Sequence, residues 1–241
     1  MIKLKTSVRK LPILMYHDVS PTTSKELTIS VEKLEKQFAY LAKNGYKSYH
    51  FKDLMDLEKL SSKKNVVITF DDGYVSQLDY VLPLLEKYDL KATFFVPLAY
   101  LGKTDEWNTA TLPIMTAEQL RSLPATRIEL GYHSYFHKRY NELSKAEIKE
   151  DTELCFRAAS ENELPFSAVV AYPYGKYPRE VSEKKKFIKQ LQSNQFVFGT
   201  RIGNRVNRFP FKKPFEIQRI DVKGEYTMAT FAWKLRFGKL F

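Results

Sequence analysis

The sequence predicts an α/β fold, a parallel sheet covered by helices, and two observations predict it. Short apolar or β-branched runs alternate with amphipathic, helix-like segments along most of the 241 residues. No long hairpin signals join neighbouring runs, which is the pattern of repeated βα units. About seven such units in a chain of this length favour a closed or nearly closed barrel over an open doubly wound sheet, a choice the pattern alone leaves open.

The elements follow in order. Leu11–Tyr16 reads as a buried strand. Ser30 offers an N-cap to a helix with Val31, Leu34, Phe38 and Leu41 at helical spacing, stopped by Asn44-Gly45. A short strand over Tyr46–His50 and a helix over Phe51–Leu60 come next. Val66–Phe70 is β-branched and aromatic, a strand; Val75–Tyr88 is helical, with Leu78, Val81, Leu82 and Leu85 on one face. Ala92–Val96 and Arg127–Leu130 read as strands separated by a short helix that opens on Thr116-Ala117-Glu118-Gln119, a capping box. Ser144-Lys145-Ala146-Glu147 opens a longer helix in the same way. Ala168–Tyr172 and Phe196–Gly199 are further strands, with a helix over Arg179–Leu191 between them. No repeat, low-complexity stretch or linker marks a boundary, so one domain over residues 1–241 is expected.

Composition narrows the class. An apolar share of 44%, with 17 Phe and 15 Tyr, is enough for a packed core and excludes disorder over the whole length. No apolar run approaches the roughly 20 residues of a membrane helix, nor a secretory h-region, so a cytoplasmic location is expected. The single cysteine, Cys155, excludes an internal disulfide and agrees with a reducing compartment. The formal net charge of +11 is not spread evenly: residues 184–241 hold 14 Lys/Arg against 3 Asp/Glu, and the rest of the chain is balanced.

Polar residues after the strands point to chemistry. Asp71-Asp72-Gly73 follows Val66–Phe70; two adjacent carboxylates at a strand end repel and are partly desolvated, although Asp-Gly is also a common turn. His133 and His137 follow Arg127–Leu130 at a spacing that puts both imidazoles on one face if the segment is helical, which suits one metal ion. His17 ends the first strand, and Ala171-Tyr172-Pro173-Tyr174-Gly175 closes another with a sharp turn. Each alone has a plain structural alternative. Together they fall at the C-terminal ends of predicted parallel strands, where αβ barrels carry their sites. A carboxylate and two imidazoles supply three ligands and leave an open position for water; a second carboxylate can take a proton and a third imidazole can return one. This is equipment for hydrolysis of an amide or ester.

Thr69-Phe70-Asp71-Asp72-Gly73, His133-Ser134-Tyr135-Phe136-His137 and Tyr172-Pro173-Tyr174-Gly175 resemble the leading motifs of the polysaccharide deacetylases, carbohydrate esterase family 4 or the NodB homology domain. The resemblance runs from about Leu11 to Phe198 and implies a distorted (β/α) barrel of about seven parallel strands. It implies that Asp71 is the general base, that Asp72, His133 and His137 bind a divalent metal, most simply Zn²⁺, and that the backbone N–H of Tyr174 stabilises the oxyanion. Tyr172, Pro173 and Gly175 would line the substrate. Two departures stand out. Ala171 occupies the place of an Arg that holds the base, and no His follows His137 to serve as general acid. Both features are similar to the poly-N-acetylglucosamine deacetylase subgroup, in which an N-terminal Tyr-His-Asp-Val supplies the acid; Met15-Tyr16-His17-Asp18-Val19 matches it. Arg201 and Arg219 are the candidates to replace the missing Arg.

The implied reaction is removal of an N-acetyl group from a sugar of a glycan, or of a lipid- or nucleotide-linked amino sugar. An O-acetyl esterase and a catalytically silent carbohydrate-binding protein are the alternatives. The basic, aromatic segment ending in Met228–Phe241 suits an anionic membrane surface on the cytoplasmic side, or a closing helix packed on the barrel. Nucleic acid is the weaker partner for it, since no recognition-helix, zinc-finger or RNA-binding motif occurs there.

Overall fold

The computed structural model describes residues 8–239. Seven parallel strands close into a barrel: β1 Ile13–Tyr16, β2 Asn65–Asp71, β3 Ala92–Val96, β4 Ile128–Tyr132, β5 Phe166–Ala171, β6 Phe198–Ile202 and β7 Ile217–Asp221. Each pairs with the next in sequence, and β7 closes the ring on β1 through Ile220↔Leu14 and Asp221↔Met15. Around it run α1 Val31–Lys43, α2 Phe51–Met55, α3 Leu82–Lys87, α4 Ala117–Ser122, α5 Lys145–Glu161, α6 Val181–Ser193 and α7 Met228–Phe237. The expected caps form: the side-chain oxygens of Ser30, Thr116 and Ser144 accept from Lys33, Gln119 and Glu147 N–H.

Strand alternation sorts the side chains into two cores. Leu14, Tyr16, Ile68, Phe70, Phe94 and Leu130 face outward into the layer under the helices. Ile13, Val67, Phe95, Val169, Phe198 and Ile217 face inward. Along the inward columns apolar residues give way to polar ones toward the C-terminal ends, as in Val67, Thr69, Asp71 on β2 and Ile13, Met15, His17 from β1. At the other end α2 plugs the barrel. Glu129 of β4 accepts from the N–H groups of Phe51 and Lys52, both at 2.7 Å, and from Thr93 Oγ1 at 2.6 Å. The fourth histidine, His50, is buried there, its Nε2 3.0 Å from the Arg127 carbonyl oxygen.

Several elements differ from expectation for local reasons. Pro12, which has no N–H to give, splits the first strand. Arg9–Leu11 turns away to pair antiparallel with Asn207–Phe209, while β1 starts at Ile13. The expected Tyr46–His50 strand shrinks to Lys47–Ser48, and the helix from Phe51 ends at Met55. The helix after β2 widens into a π-type stretch over Gln77–Val81 before α3. β7 is not anticipated at all: its inward residues include Arg219, so the segment shows no apolar alternation.

Phe231 and Leu235 of α7 are buried, and Phe231 meets Tyr40 of α1 edge-on at 6.1 Å. α7 therefore packs as a closing helix, with Trp233 and Phe237 left exposed. Leu240 and Phe241 lie outside the described residues. Among the described residues no helix is long and apolar enough to cross a membrane.

Candidate active site

The C-terminal ends of the strands open on a cavity of about 310 Å³ that brings together His17, Asp71, Asp72, His133, His137, Tyr172, Tyr174 and Arg219. Asp71 ends β2 with its side chain inward. Asp72 then adopts φ 74° and Gly73 φ 66°, a left-handed pair that swings the second carboxylate across the mouth. A Cβ on Gly73 would sit 3.1 Å from Val96 Cγ1, so the turn leaves little room for any other residue.

The two motif histidines converge through a loop, not along a helix face. Ser134 (φ 59°) and His137 (φ 55°) both take left-handed conformations, which fold the segment back on itself. Asp151, from α5, holds it: its Oδ1 accepts from Ser134 Oγ at 2.7 Å and Tyr135 N–H at 2.9 Å, and its Oδ2 from Tyr140 O–H at 3.3 Å. Burial pushes the Asp151 carboxyl up, and these hydrogen bonds offset part of that. His133 Nδ1 lies 2.9 Å from the Ala171 carbonyl oxygen; donation there leaves Nε2 as the free lone pair. His133 Nε2 and His137 Nε2 approach Asp72 Oδ1 at 3.5 and 3.3 Å. Asp72 Oδ1 is buried with no hydrogen-bond partner. One ligand atom each from Asp72, His133 and His137 falls within 4.8 Å of the others, a possible metal site.

Of the two candidate arginines, Arg219 reaches the base. Its Nη1 and Nη2 donate to Asp71 Oδ1 and Oδ2 at 2.5 and 2.7 Å, and its guanidinium lies 5.2 Å from the centre of the Phe95 ring. Arg201 instead donates to the Ile202 carbonyl oxygen. Ala171 thus lacks the expected Arg, and β7 supplies one. Asp71 Oδ2 lies 3.7 Å from His133 Nε2 and 3.9 Å from His17 Nε2. Gln77, presented by the π-type stretch, donates to the carbonyl oxygens of both Asp71 (2.6 Å) and His17 (3.2 Å) and ties the two strand ends together.

Burial would raise the Asp71 carboxyl, but the Arg219 charge, with His133 and His17, outweighs it and holds the group below the ordinary carboxylate range. Burial likewise opposes ionisation of Asp72, and the proximity of His137, with the charges of His17 and His133, brings it well below that range. Burial is the main influence on His133 and carries it down to about 4, so it is neutral at pH 7.

Tyr172, Tyr174 and Gly175 line the cavity. Tyr172 gives its hydroxyl to the Phe215 carbonyl oxygen at 3.0 Å. Pro173 does not line the cavity; it is buried, and its ring shapes the turn that places Tyr174 at φ 57°. The structure adds Trp107, whose ring stacks on His137 at 4.5 Å and 28°. Its loop is organised by buried Asp105, which accepts from Thr111 and Leu112 N–H, both at 2.8 Å. A tryptophan amid Asp105, Glu106 and Asn108 is the signal that this loop has a surface to cover. Asp151 left a signal too, as an acid on the apolar stripe of Ile148, Cys155 and Ala159.

A buried carboxylate–imidazole cluster beside an Arg-held carboxylate, at the C-terminal mouth of a parallel barrel, defines a hydrolase of the (β/α)-barrel class. The sequence profile described as polysaccharide deacetylase matches residues 58–209, and the chain belongs to that family. YxkH of Bacillus subtilis, named for the same family, is 29% identical over 174 residues, 71% of this chain and 59% of its own length. The poly-β-1,6-N-acetyl-D-glucosamine N-deacetylase of Staphylococcus aureus is 25% identical over 173 residues, 67% of this chain and 58% of its own. This chain thus spans less than two thirds of either relative. In fold it is similar to the Streptococcus pyogenes deacetylase PplD, with a TM-score of 0.77 at 19% identity, covering 94% of this chain and 98% of that one. IcaB from Ammonifex degensii gives 0.74 at 22%, covering 94% and 97%.

Proposed function

We propose that this chain is a metal-dependent N-deacetylase that hydrolyses the acetamide of an N-acetylated sugar in a glycan. The observation that carries the proposal is that three kinds of group meet at one mouth: a three-residue ion site, a carboxylate held by Arg219, and the His17 imidazole. The donor set fits one divalent ion, preferably zinc, because Asp72 Oδ1 is buried without a hydrogen bond and the His133 Nε2 lone pair is free. When bound by Asp72, His133 and His137, such an ion supplies a Lewis acid for the acetyl oxygen and lowers the pKa of water.

Asp71 accepts the proton as water attacks. Its lowered pKa makes it a weak base, so it can act only on water that has already been acidified; its advantage is fixed position, since Arg219 grips both oxygens. The tetrahedral oxyanion takes a hydrogen bond from the Tyr174 N–H, a role carried over from the family resemblance. His17, 3.9 Å from Asp71 Oδ2, donates a proton to the departing nitrogen, which would otherwise leave as an amide anion. An acetyl ester needs that proton less, so a histidine in this place favours N- over O-deacetylation. Arg219 also weakens the silent-binder alternative, because it supplies the grip on Asp71 that Ala171 cannot. The name of the S. aureus relative makes a β-1,6-linked N-acetylglucosamine polymer the first substrate to try.

The test is acetate release from N-acetylglucosamine oligomers, with metal content measured on the same samples. Asp71→Asn should retain the ion and lose turnover; a wild-type rate in that variant would overturn the assignment. His17→Ala should lower kcat on the acetamide by on the order of 10²–10⁴ and spare an activated acetyl ester. Equal losses on both substrates would make His17 a binding residue.

A further inference from the structure

The end of the barrel opposite the cavity is strongly basic. Lys10, Lys63, Lys64 and Arg236 line a groove of about 390 Å³ between Pro12 and Asn65, which precede or open β1 and β2, and the last turn of α7. Arg208 and Lys212 extend the patch along the neighbouring groove. All six cations are exposed, and among the described residues none pairs with a carboxylate. Lys10 and Arg208 stand directly opposite each other in the antiparallel pair, an arrangement of like charges that costs stability unless an anion relieves it. Two of the ammonium groups are held in place by helix ends, Lys10 on the Arg236 carbonyl oxygen at 3.3 Å and Lys64 on that of Asn44 at 3.0 Å.

Apolar groups are set among these charges. Trp233 and Phe237 are 49% and 40% exposed and pack on one another, centroids 4.6 Å apart and planes tilted by 44°. Lys10 Nζ lies 5.5 Å, and the Arg236 guanidinium 5.2 Å, from the centre of the Phe237 ring. Exposed aromatic rings set among cations suit insertion beneath the headgroups of an anionic lipid surface.

We propose that the base of the barrel docks on an anionic lipid surface, with the active-site mouth directed away from it. The docking surface is the folded base, with α7 kept in place, because Phe231 and Leu235 are needed in the core. A strand length of roughly 15–20 Å then separates the headgroups from the mouth. On the deacetylase reading proposed above, the substrate would be a glycan reaching beyond the membrane surface rather than a sugar carried at it on a lipid diphosphate.

The experiment is sedimentation of the full chain with phosphatidylcholine vesicles, with and without phosphatidylglycerol, across a salt series. Wild type should partition onto the anionic vesicles alone and release as salt rises. Combined Lys10→Gln, Lys64→Gln, Arg208→Gln and Arg236→Gln should lower partitioning by on the order of 10²–10³, with acetate release from a soluble oligomer unchanged. Should that variant fold poorly, Lys63→Glu with Lys212→Glu tests the same charge at exposed sites that make no side-chain hydrogen bond among the described residues. Equal partitioning of wild type and variants, or no wild-type binding to anionic vesicles, overturns the proposal. Displacement from the vesicles by duplex DNA at equal phosphate concentration overturns the lipid assignment in favour of nucleic acid. A wild type that releases acetate without partitioning refutes docking and leaves the catalytic reading standing.

Discussion

Glu129, near the base of the barrel, and Asp72, at its mouth, are both buried carboxylates on the inward side of the same sheet, yet the groups facing them differ in kind. Two backbone N–H groups and a hydroxyl point at Glu129, and every one is a donor. Asp72 Oδ1 faces two imidazole nitrogens and has no hydrogen-bond partner. At pH 7 the one on His133, 3.5 Å away, is neutral and offers a lone pair. A carboxylate surrounded by donors is a cap: it ties the first turn of α2 to β4 and is finished when folding is finished. A carboxylate oxygen with no donor, facing the lone pair of His133, is incomplete until a cation arrives. The contrast separates a structural acid from a functional one without reference to their similar burial.

The contrast breaks most visibly at Asp72. Asp72→Asn should abolish metal uptake and reduce acetate release by on the order of 10³-fold or more, and the rise in Tm that added metal gives wild type should vanish. A variant whose Tm still rose with added metal as wild type's does would show that Asp72 is not a ligand. Glu129→Ala should do the reverse. Leaving the Phe51, Lys52 and Thr93 donors buried and unpaired costs about 3 kcal/mol, which lowers Tm by roughly 6–12 °C in a chain of this size. Metal bound per folded molecule should not change. Loss of metal at unchanged Tm would show that Glu129 acts on the site.

Residues that act with their sequence neighbours are legible before folding. The apolar runs mark β1 to β6, the caps at Ser30, Thr116 and Ser144 start their helices, and the motif residues Asp71, Asp72, His133 and His137 meet as expected. What escapes the sequence has its partner far along the chain. β7 hides because Arg219 breaks its apolar pattern, and the reason for that break, Asp71, lies 148 residues earlier. Trp107, Gln77 and Asp151 matter for the same reason: each acts on a strand end or loop that only the closed barrel brings alongside. The helical spacing of His133 and His137 also misled in detail, because left-handed residues in a loop bring imidazoles together as well as a helix does.

The smallest expected effect concerns acid. Burial holds His133 at the mouth near a pKa of about 4, against roughly 6.5 for an unperturbed imidazole, and burial also holds His50 at the base below its ordinary value. As pH falls below about 6.5 the unfolded chain takes up a proton at each site that the folded chain refuses, so acidification favours unfolding. For His133 that loss runs from about 6.5 down to about 4 and then stops. Asp71 behaves differently: its folded pKa is depressed, so its contribution is intact above the ordinary carboxylate value of about 4 and fades only below it. The two windows do not overlap. In metal-free protein, Tm should therefore drop by a few degrees between about pH 6.5 and 4, and His133→Gln and His50→Gln should each flatten part of that curve. Because the sites lie at opposite ends of the barrel, the double variant should flatten it by the sum. If His50→Gln removed the whole slope and His133→Gln none, the mouth imidazole would take up its proton equally in the folded and unfolded chain, and burial would not be what keeps its lone pair free.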